Sequence, residues 1–375
     1  MRSKREAGFQ DRILDLFTSS DALVSVVVVL LGFAVGTVLL IMVGRNPGDM
    51  YSAITQVLSG YDLRSGVWNA RYIGEWLVMS TPLILCGLSM AFAARTGLFN
   101  IGAEGQYIVG LTVAQFVALY GPQVAGLHWM LAVVLGMMAG AFWGGIVGAL
   151  KAKYSVSEVV ATIMLNYVAY FASRFLTQLI PGANTYRTPS FPQTARLESP
   201  FLMALTNGSR VNYGFYLAIV SVIVFWVIIE KTRLGFSLRA TGLNKDAARF
   251  SGINVTGSIG GAMAISGAFA GLAGAIVALG SFSYGRVLGG YDNYGFNGIA
   301  VALVGNSTAG GTGIAGLLFG MLNSAHPLMQ SRQIPKEITA IISGLVVVFI
   351  SLRGGVRMLL EWRMKELARK GRVTE

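Results

Sequence analysis

Arg95-Thr96-Gly97-Leu98-Phe99-Asn100-Ile101-Gly102-Ala103-Glu104-Gly105-Gln106 is the stretch that decides the fold. Gly97, Gly102 and Gly105 argue against a regular helix there. Asn100 stands between the apolar runs 73–94 and 101–120, and Glu104 and Gln106 at the start of the second, with no long polar loop to hold them. A carboxylate at membrane depth costs about 2.5–3.5 kcal/mol unless it faces a polar cavity or a partner. Two readings follow: a broken helix whose polar groups line a path, or a structural hairpin in which Glu104 pairs with a cation such as Arg95.

Outward from this stretch, apolar runs continue along the chain. They fall at 22–44, 73–94, 101–120, 127–150, 156–180, 213–230, 258–280, 296–306, 313–330 and 336–352. Of 375 residues, 54% are hydrophobic and only 12% charged, against about a quarter charged in soluble domains. Disordered, collagen-like and disulfide-scaffold classes are excluded, and the single cysteine, Cys86, cannot form an internal disulfide. The expected fold is all-α: a polytopic membrane protein of about ten transmembrane helices with broken helices. The run 296–306 is too short to cross a core of about 30 Å, so it must extend into its flanks or be re-entrant. The 48 glycines suit close helix packing and helix breaks.

The net charge of +12 is assigned to topology and anionic lipid, not to nucleic acid. With an inside N-terminus, inside segments carry about twice the Lys and Arg of outside loops, which places both termini in the cytoplasm. The organisation is an N-terminal segment 1–21, a transmembrane domain 22–352 with an inside loop 231–257, and a basic tail 353–375. Loops 45–72 and 181–212 contain turn formers such as Asn46-Pro47-Gly48 and are too short to be domains. Phe99-Asn-Ile-Gly-Ala103 echoes Phe296-Asn-Gly-Ile-Ala300, and Ser157–Ile163 echoes Lys336–Ile342. Halves of five spans each would be inverted repeats, which point to a midplane site.

Glu158, Thr162 and Asn166 form one polar stripe on an apolar helix, facing protein or water. The stripe either touches a solute or holds helices together. In the inside loop, Asn244 as N-cap, Asp246 in the first turn and Gly252 as stop mark a short amphipathic helix with an exposed Phe250. Such a helix docks on another protein or lies on lipid. Tyr284, Tyr291, Tyr294 and Phe296 read either as an interfacial aromatic belt or as rings that stack on an incoming ring. No Walker motif, HExxH or CxxC spacing is present, the histidines are His128 and His326 alone, and no nucleophile is paired with an activated base.

Taken together, Gly97–Gln106, Glu158-Val-Val-Ala-Thr-Ile-Met-Leu-Asn-Tyr167, Gly295–Gly305 and Leu238-Arg-Ala-Thr-Gly-Leu-Asn244 make the sequence familiar. Over residues 70–350 it resembles permease subunits of bacterial ABC importers of the ribose/branched-chain amino-acid permease superfamily. The likeness is strongest to the longer of the two paired permeases of nucleoside importers. The resemblance implies a multi-pass subunit of the bacterial cytoplasmic membrane that is not itself an enzyme and binds no cofactor. ATP and Mg would sit on a partner ATPase. A second homologous permease, an extracytoplasmic substrate-binding lipoprotein and membrane lipid are the other expected partners. Asp246-Ala-Ala-Arg-Phe-Ser-Gly252 has the spacing of the ABC coupling loop, with Asp for Glu and without the downstream Ile-x-Leu-Pro. Its ATPase-coupling residues would be Arg239, Asp246, Ala247, Ala248 and Gly252. Phe99, Asn100, Glu104, Gln106, Asn166, Phe296 and Asn297 are the expected substrate-path residues. Loops 181–212 and 281–295 would receive the lipoprotein. The expected activity is nucleoside import by alternating access. The alternatives are a simple-sugar importer of the same build and a stand-alone secondary transporter.

Overall fold

Apolar runs interrupted by glycine, proline and asparagine fold into a helical chain. The computed structural model describes residues 21–352 together with Gly355, Met358 and Trp362. The expected N-terminal segment 1–21, apart from Asp21, and the rest of the basic tail 353–375 lie outside the described residues. The first helices are α1 (Asp21–Met42), α2 (Pro47–Ser59), α3 (Arg71–Arg95), α4 (Ala103–Tyr120), α5 (Leu127–Tyr154) and α6 (Glu158–Gln178). After strand β1 (Arg187–Ser190) come α7 (Pro200–Leu205) and α8 (Gly214–Trp226), which runs into a π-turn at Val227–Lys231. Then follow α9 (Arg233–Leu243), α10 (Lys245–Phe250), α11 (Val255–Gly280), β2 (Tyr284–Arg286), α12 (Tyr294–Val304), α13 (Ala309–Ser331) and α14 (Lys336–Ser351).

Each of the ten apolar segments is helical. Among the described residues, five helices are long and apolar enough to cross a membrane: α3, α5, α6, α8 with its π-turn, and α11. Val29–Met42 and α12 are shorter apolar helices. This is a multi-pass membrane protein.

The described residues are mostly helical, as expected, with one short antiparallel ribbon in which Arg187 of β1 lies opposite Arg286 of β2 and Ser190 opposite Tyr284. Two expectations need correction. The Asn46-Pro47-Gly48 turn opens a helix instead of a loop: Asn46 Oδ1 accepts the Gly48 N–H at 2.9 Å, and Pro47 holds the first helical position, where its missing N–H costs nothing. The first half of the inside loop is also helical. Thr232 caps α9 by accepting the Gly235 N–H at 3.0 Å.

The described residues fall into two compact units, one of residues 21–51 and 326–352 and the other Ser52–Ala325. In the first, Gly36 lets Ile342 of α14 approach α1, a Cβ there lying 3.1 Å from the Ile342 side chain. Arg332 donates to the Asp49 carbonyl at 2.9 Å. The second unit is centred on α11, buried over most of its length between α3, α4 and α5. Gly136, Gly140, Gly144 and Gly148 recur every fourth residue along α5, so they form one stripe. A Cβ on Gly140 would lie 2.5 Å from the Gly267 carbonyl oxygen, and one on Gly110 of α4 would lie 2.3 Å from the Gly271 oxygen. Backbone-to-backbone packing of this kind replaces the hydrophobic drive that lipid does not provide. At one end Phe92, Phe225 and Phe269 fill the space between α3, α8 and α11, with ring centroids 5.4–6.2 Å apart.

Gly140→Ala forces helices apart, and we expect it to cost about 1–3 kcal/mol, read as a lowered unfolding temperature of the detergent-solubilised protein. Gly261→Ala, whose Cβ meets nothing within 4 Å, leaves that temperature unchanged or slightly raised.

Candidate functional site

α3 stops at Arg95 because Gly97 takes a left-handed conformation (φ +72°) and lies against Gly242 of α9, where a Cβ would come within 2.8 Å of the Gly242 Cα. The chain then turns back to Asn100, which is fully buried. Asn100 Nδ2 donates to Ser266 Oγ at 2.7 Å and to Gln106 Oε1 at 2.9 Å, while its Oδ1 accepts the Gly102 N–H at 2.9 Å. Ser266 Oγ donates to the Ser89 carbonyl at 2.7 Å, which ties α11 to α3. Asn166 Oδ1 accepts the Gly105 N–H at 2.8 Å, and its Nδ2 donates to the Ile101 carbonyl at 3.1 Å. A buried polar network is stable only when its groups are paired in this way.

The depth of this network follows from helix rise. Asn166 lies about 12 Å along α6 from Glu158, and Ser266 about 16 Å along α11 from Val255. Gly144, whose added Cβ would lie 3.1 Å from Gln106 Nε2, is about 15 Å along α5 from Tyr154. All three positions lie well inside their helices and away from the helix ends. α4 therefore begins part-way along α5, α6 and α11.

A second helix begins there. The two carboxylate oxygens of Glu104 accept the N–H groups of Asn293 at 2.9 Å and Gly295 at 2.7 Å, at the N-terminus of α12. Asn293 is left-handed (φ +64°), and Gly295 permits contact with the backbone of Glu104, where a Cβ would lie 2.2 Å from its nitrogen. The positive end of the helix dipole and the two amides face the Glu104 carboxyl group. The alternative pairing with Arg95 is not made: Arg95 bonds Glu230 instead. α12 has 11 residues, about 16 Å, enough for half the core. Asn100, Glu104, Gln106 and Asn166 thus belong to one buried cluster. Phe99 is 39% exposed and Phe296 and Asn297 are half-buried. Of the polar stripe, Glu158 pairs with Lys151 at 2.5 Å, and the Thr162 hydroxyl bonds its own helix. Glu158 thus reaches α5, and Asn166 reaches the 101–105 backbone.

The aromatic residues divide into two groups. Tyr291 packs on Tyr167 (6.0 Å between centroids), Tyr170 (5.2 Å) and Phe296 (5.7 Å). Tyr107 packs on Tyr294 at 5.7 Å and donates to Asp292 at 2.7 Å. Asp292 also holds Arg286, which faces the Phe282 ring at 4.7 Å. Burial works against the Arg286 charge, and the Asp292 hydrogen bond together with the attraction of Asp292, Tyr107 and Tyr294 more than restores it, so the guanidinium titrates above its ordinary range. The Glu75 carboxylate likewise holds Arg210 up. Arg210, Arg286, Asp292 and Tyr294 line a cavity of about 120 Å³. Sequence reading missed Tyr107, Tyr167, Tyr170, Arg286 and Asp292. The Tyr-Asp-Asn-Tyr run at 291–294 was the available signal for this cluster.

At the basic end, Glu230 on the π-turn bonds both Arg95 and Arg239, the latter at 2.5 Å. α10 has the expected caps: Asn244 Oδ1 accepts the N–H groups of Asp246 and Ala247, both at 3.0 Å, and Gly252 is left-handed (φ +80°). Ala248 is buried, whereas Phe250 is 94% exposed. Among the described residues no cluster of His, Cys, Asp and Glu could hold a metal ion.

Residues 72–351 match the family described as branched-chain amino acid transport system/permease component. The guanosine ABC transporter permease protein NupP of Bacillus subtilis is 38% identical, covering 94% of this chain and 98% of the relative. The nucleoside ABC transporter permease protein NupB of Lactococcus lactis subsp. cremoris is 34% identical, covering 90% and 93%. The glucose ABC transporter permease protein TsgB13 of Haloferax volcanii is 33% identical, covering 87% and 86%. No solved structure matches the chain significantly. With a family match over most of its length, and with broken helices and a capped α9–α10 hairpin in its fold, the chain belongs to the permease components of the branched-chain amino acid transport family.

Proposed function

We propose that this chain is the permease subunit of an ATP-driven nucleoside importer in the bacterial cytoplasmic membrane. The observation that carries the substrate is the 38% identity, over nearly the whole length of both chains, to a permease named for guanosine. The 33% identity to a permease named for glucose is the specific support for the sugar alternative. An uncharged nucleoside suits an interior whose polar groups are mainly amides, hydroxyls and phenols, since these bonds form and release without a large desolvation cost.

The finer topology belongs to the same reading: ten crossings in two inverted halves of five, with both termini in the cytoplasm. It is supported by the ten helical segments and by the basic residues gathered around Glu230. ATP and Mg sit on a separate ATPase subunit, and a second permease and a substrate-binding lipoprotein complete the importer. The relatives named NupP and NupQ, and NupB and NupC, occur as pairs of permeases within one organism each. The loops joined by the β1–β2 ribbon receive the lipoprotein.

In mechanism, the α9–α10 hairpin is the lever. Exposed Phe250 enters the ATPase, and the hairpin is tied to α3 twice, through Glu230 and through the Gly97–Gly242 contact. Motion of the lever therefore reaches the segment 97–102 and, through Asn100 and Glu104, the start of α12. Phe99, Asn100, Glu104, Gln106, Asn166, Phe296 and Asn297 border the midplane path.

In proteoliposomes holding the whole complex, uptake of radiolabelled guanosine or adenosine is expected, with unlabelled nucleosides competing and glucose or ribose not. Blocking by the sugars alone would establish the sugar reading. Phe250→Glu should abolish uptake and release the ATPase on purification; uptake that survives without the ATPase would make the chain a secondary transporter. Glu104→Ala leaves one buried and one part-buried N–H group unpaired, at a cost of about 3 kcal/mol, and should reduce uptake at least about tenfold. Glu104→Gln, which keeps an acceptor oxygen, should retain more.

A further inference from the structure

The cluster of Tyr167, Tyr170, Tyr291 and Phe296 sits where aromatic belts do not. Tyr167 and Tyr170 lie about 13 and 18 Å from the start of α6, in the middle third of a helix about 31 Å long. Belt residues gather at the two membrane–water interfaces, because a phenol gains from water that the hydrocarbon lacks. Tyr291 descends from the loop after β2 to meet both rings, and Phe296, on the first turn of α12, closes the group. Tyr167 keeps 52% of its surface exposed. The Tyr291 Oη is covered and has no hydrogen-bond partner among the described residues. Three phenols in the middle of α6 and beside it, the covered one without a hydrogen-bond partner, are unfavourable against lipid and favourable beside a polar, ring-bearing solute.

We propose that Tyr167, Tyr170, Tyr291 and Phe296 form the midplane station on which the planar base of the transported solute stacks, with the Tyr291 phenol as its hydrogen-bonding group. The proposal rests on the nucleoside reading above and adds the part of the substrate that is recognised. Stacking is tolerant of base identity, since every base has a π-face, and the phenol can act as donor or acceptor. The station adjoins the start of α12, whose first amides are bonded to Glu104, so motion relayed from the lever would part Tyr291 and Phe296 from the α6 rings.

Cys86 is the chain's single cysteine, so Cys86→Ala with Tyr167→Cys places one thiol at the station. In the complete complex, a water-soluble thiol reagent should modify it during ATP turnover, and guanosine should slow the modification at least about fivefold while ribose does not. Tyr170→Leu and Tyr291→Phe should each lower the maximal rate of nucleoside uptake about tenfold, in line with the loss of one stacking or polar contact, while Tyr170→Phe keeps it. A thiol that never reacts, or one that reacts equally with and without guanosine, would overturn the station, as would Tyr170→Leu with unchanged uptake. A wild-type complex that takes up no nucleoside would refute the nucleoside reading before any variant is compared.

Discussion

The interior depends on one buried carboxyl group held by two backbone amides. Glu104 is buried at the level where two helices begin, and its carboxylate is accommodated because Asn293 and Gly295 donate to it at the N-terminus of α12. A fixed anion there would otherwise be among the most unfavourable groups in the chain. The same bonds satisfy two of the orphan amides that any helix start leaves unpaired. Each broken helix thus resolves the other's difficulty: α4 presents the acceptor, and α12 presents the donors.

Around that pair the protein has little freedom. Asn166 grips the 101–105 backbone from α6, Asn100 links α3, α4 and α11, and the glycine stripes of α4, α5 and α11 bring backbones into direct contact. Close-packed interiors shift between discrete arrangements instead of deforming smoothly, so a displacement at one end is carried across intact. The Gly97–Gly242 contact and the Arg95–Glu230–Arg239 bridge are where such a displacement would enter.

Much of this was legible in the residues. Each apolar run became a helix, and the Asn244, Asp246 and Gly252 signals marked α10, because caps and breakers act locally. The glycines at 97, 102 and 105 announced a break after Arg95. Helix α2 was legible too, since proline at a first helical position behind a side-chain-capped turn is a start signal that a turn-former reading overlooks. The β1–β2 ribbon was not, because it joins residues about a hundred positions apart and neither three- or four-residue strand has a pattern of its own.

The amino-acid order by itself determined that the chain lives in a bilayer, where it is helical, and which segments break, since hydropathy, capping and backbone freedom are properties of neighbours in sequence. It left open whether Glu104 faces a cation or a path, whether Asn166 holds helices or touches solute, and whether Tyr291 belongs to an interface. Tertiary structure decided the partners: Glu104 takes the amides of α12, Asn166 takes the backbone of 101–105, and Tyr291 meets the middle of α6. A polar group in an apolar medium must find its partner wherever the fold brings one, and that partner lies 61 to 191 positions away for Asn166 and Glu104.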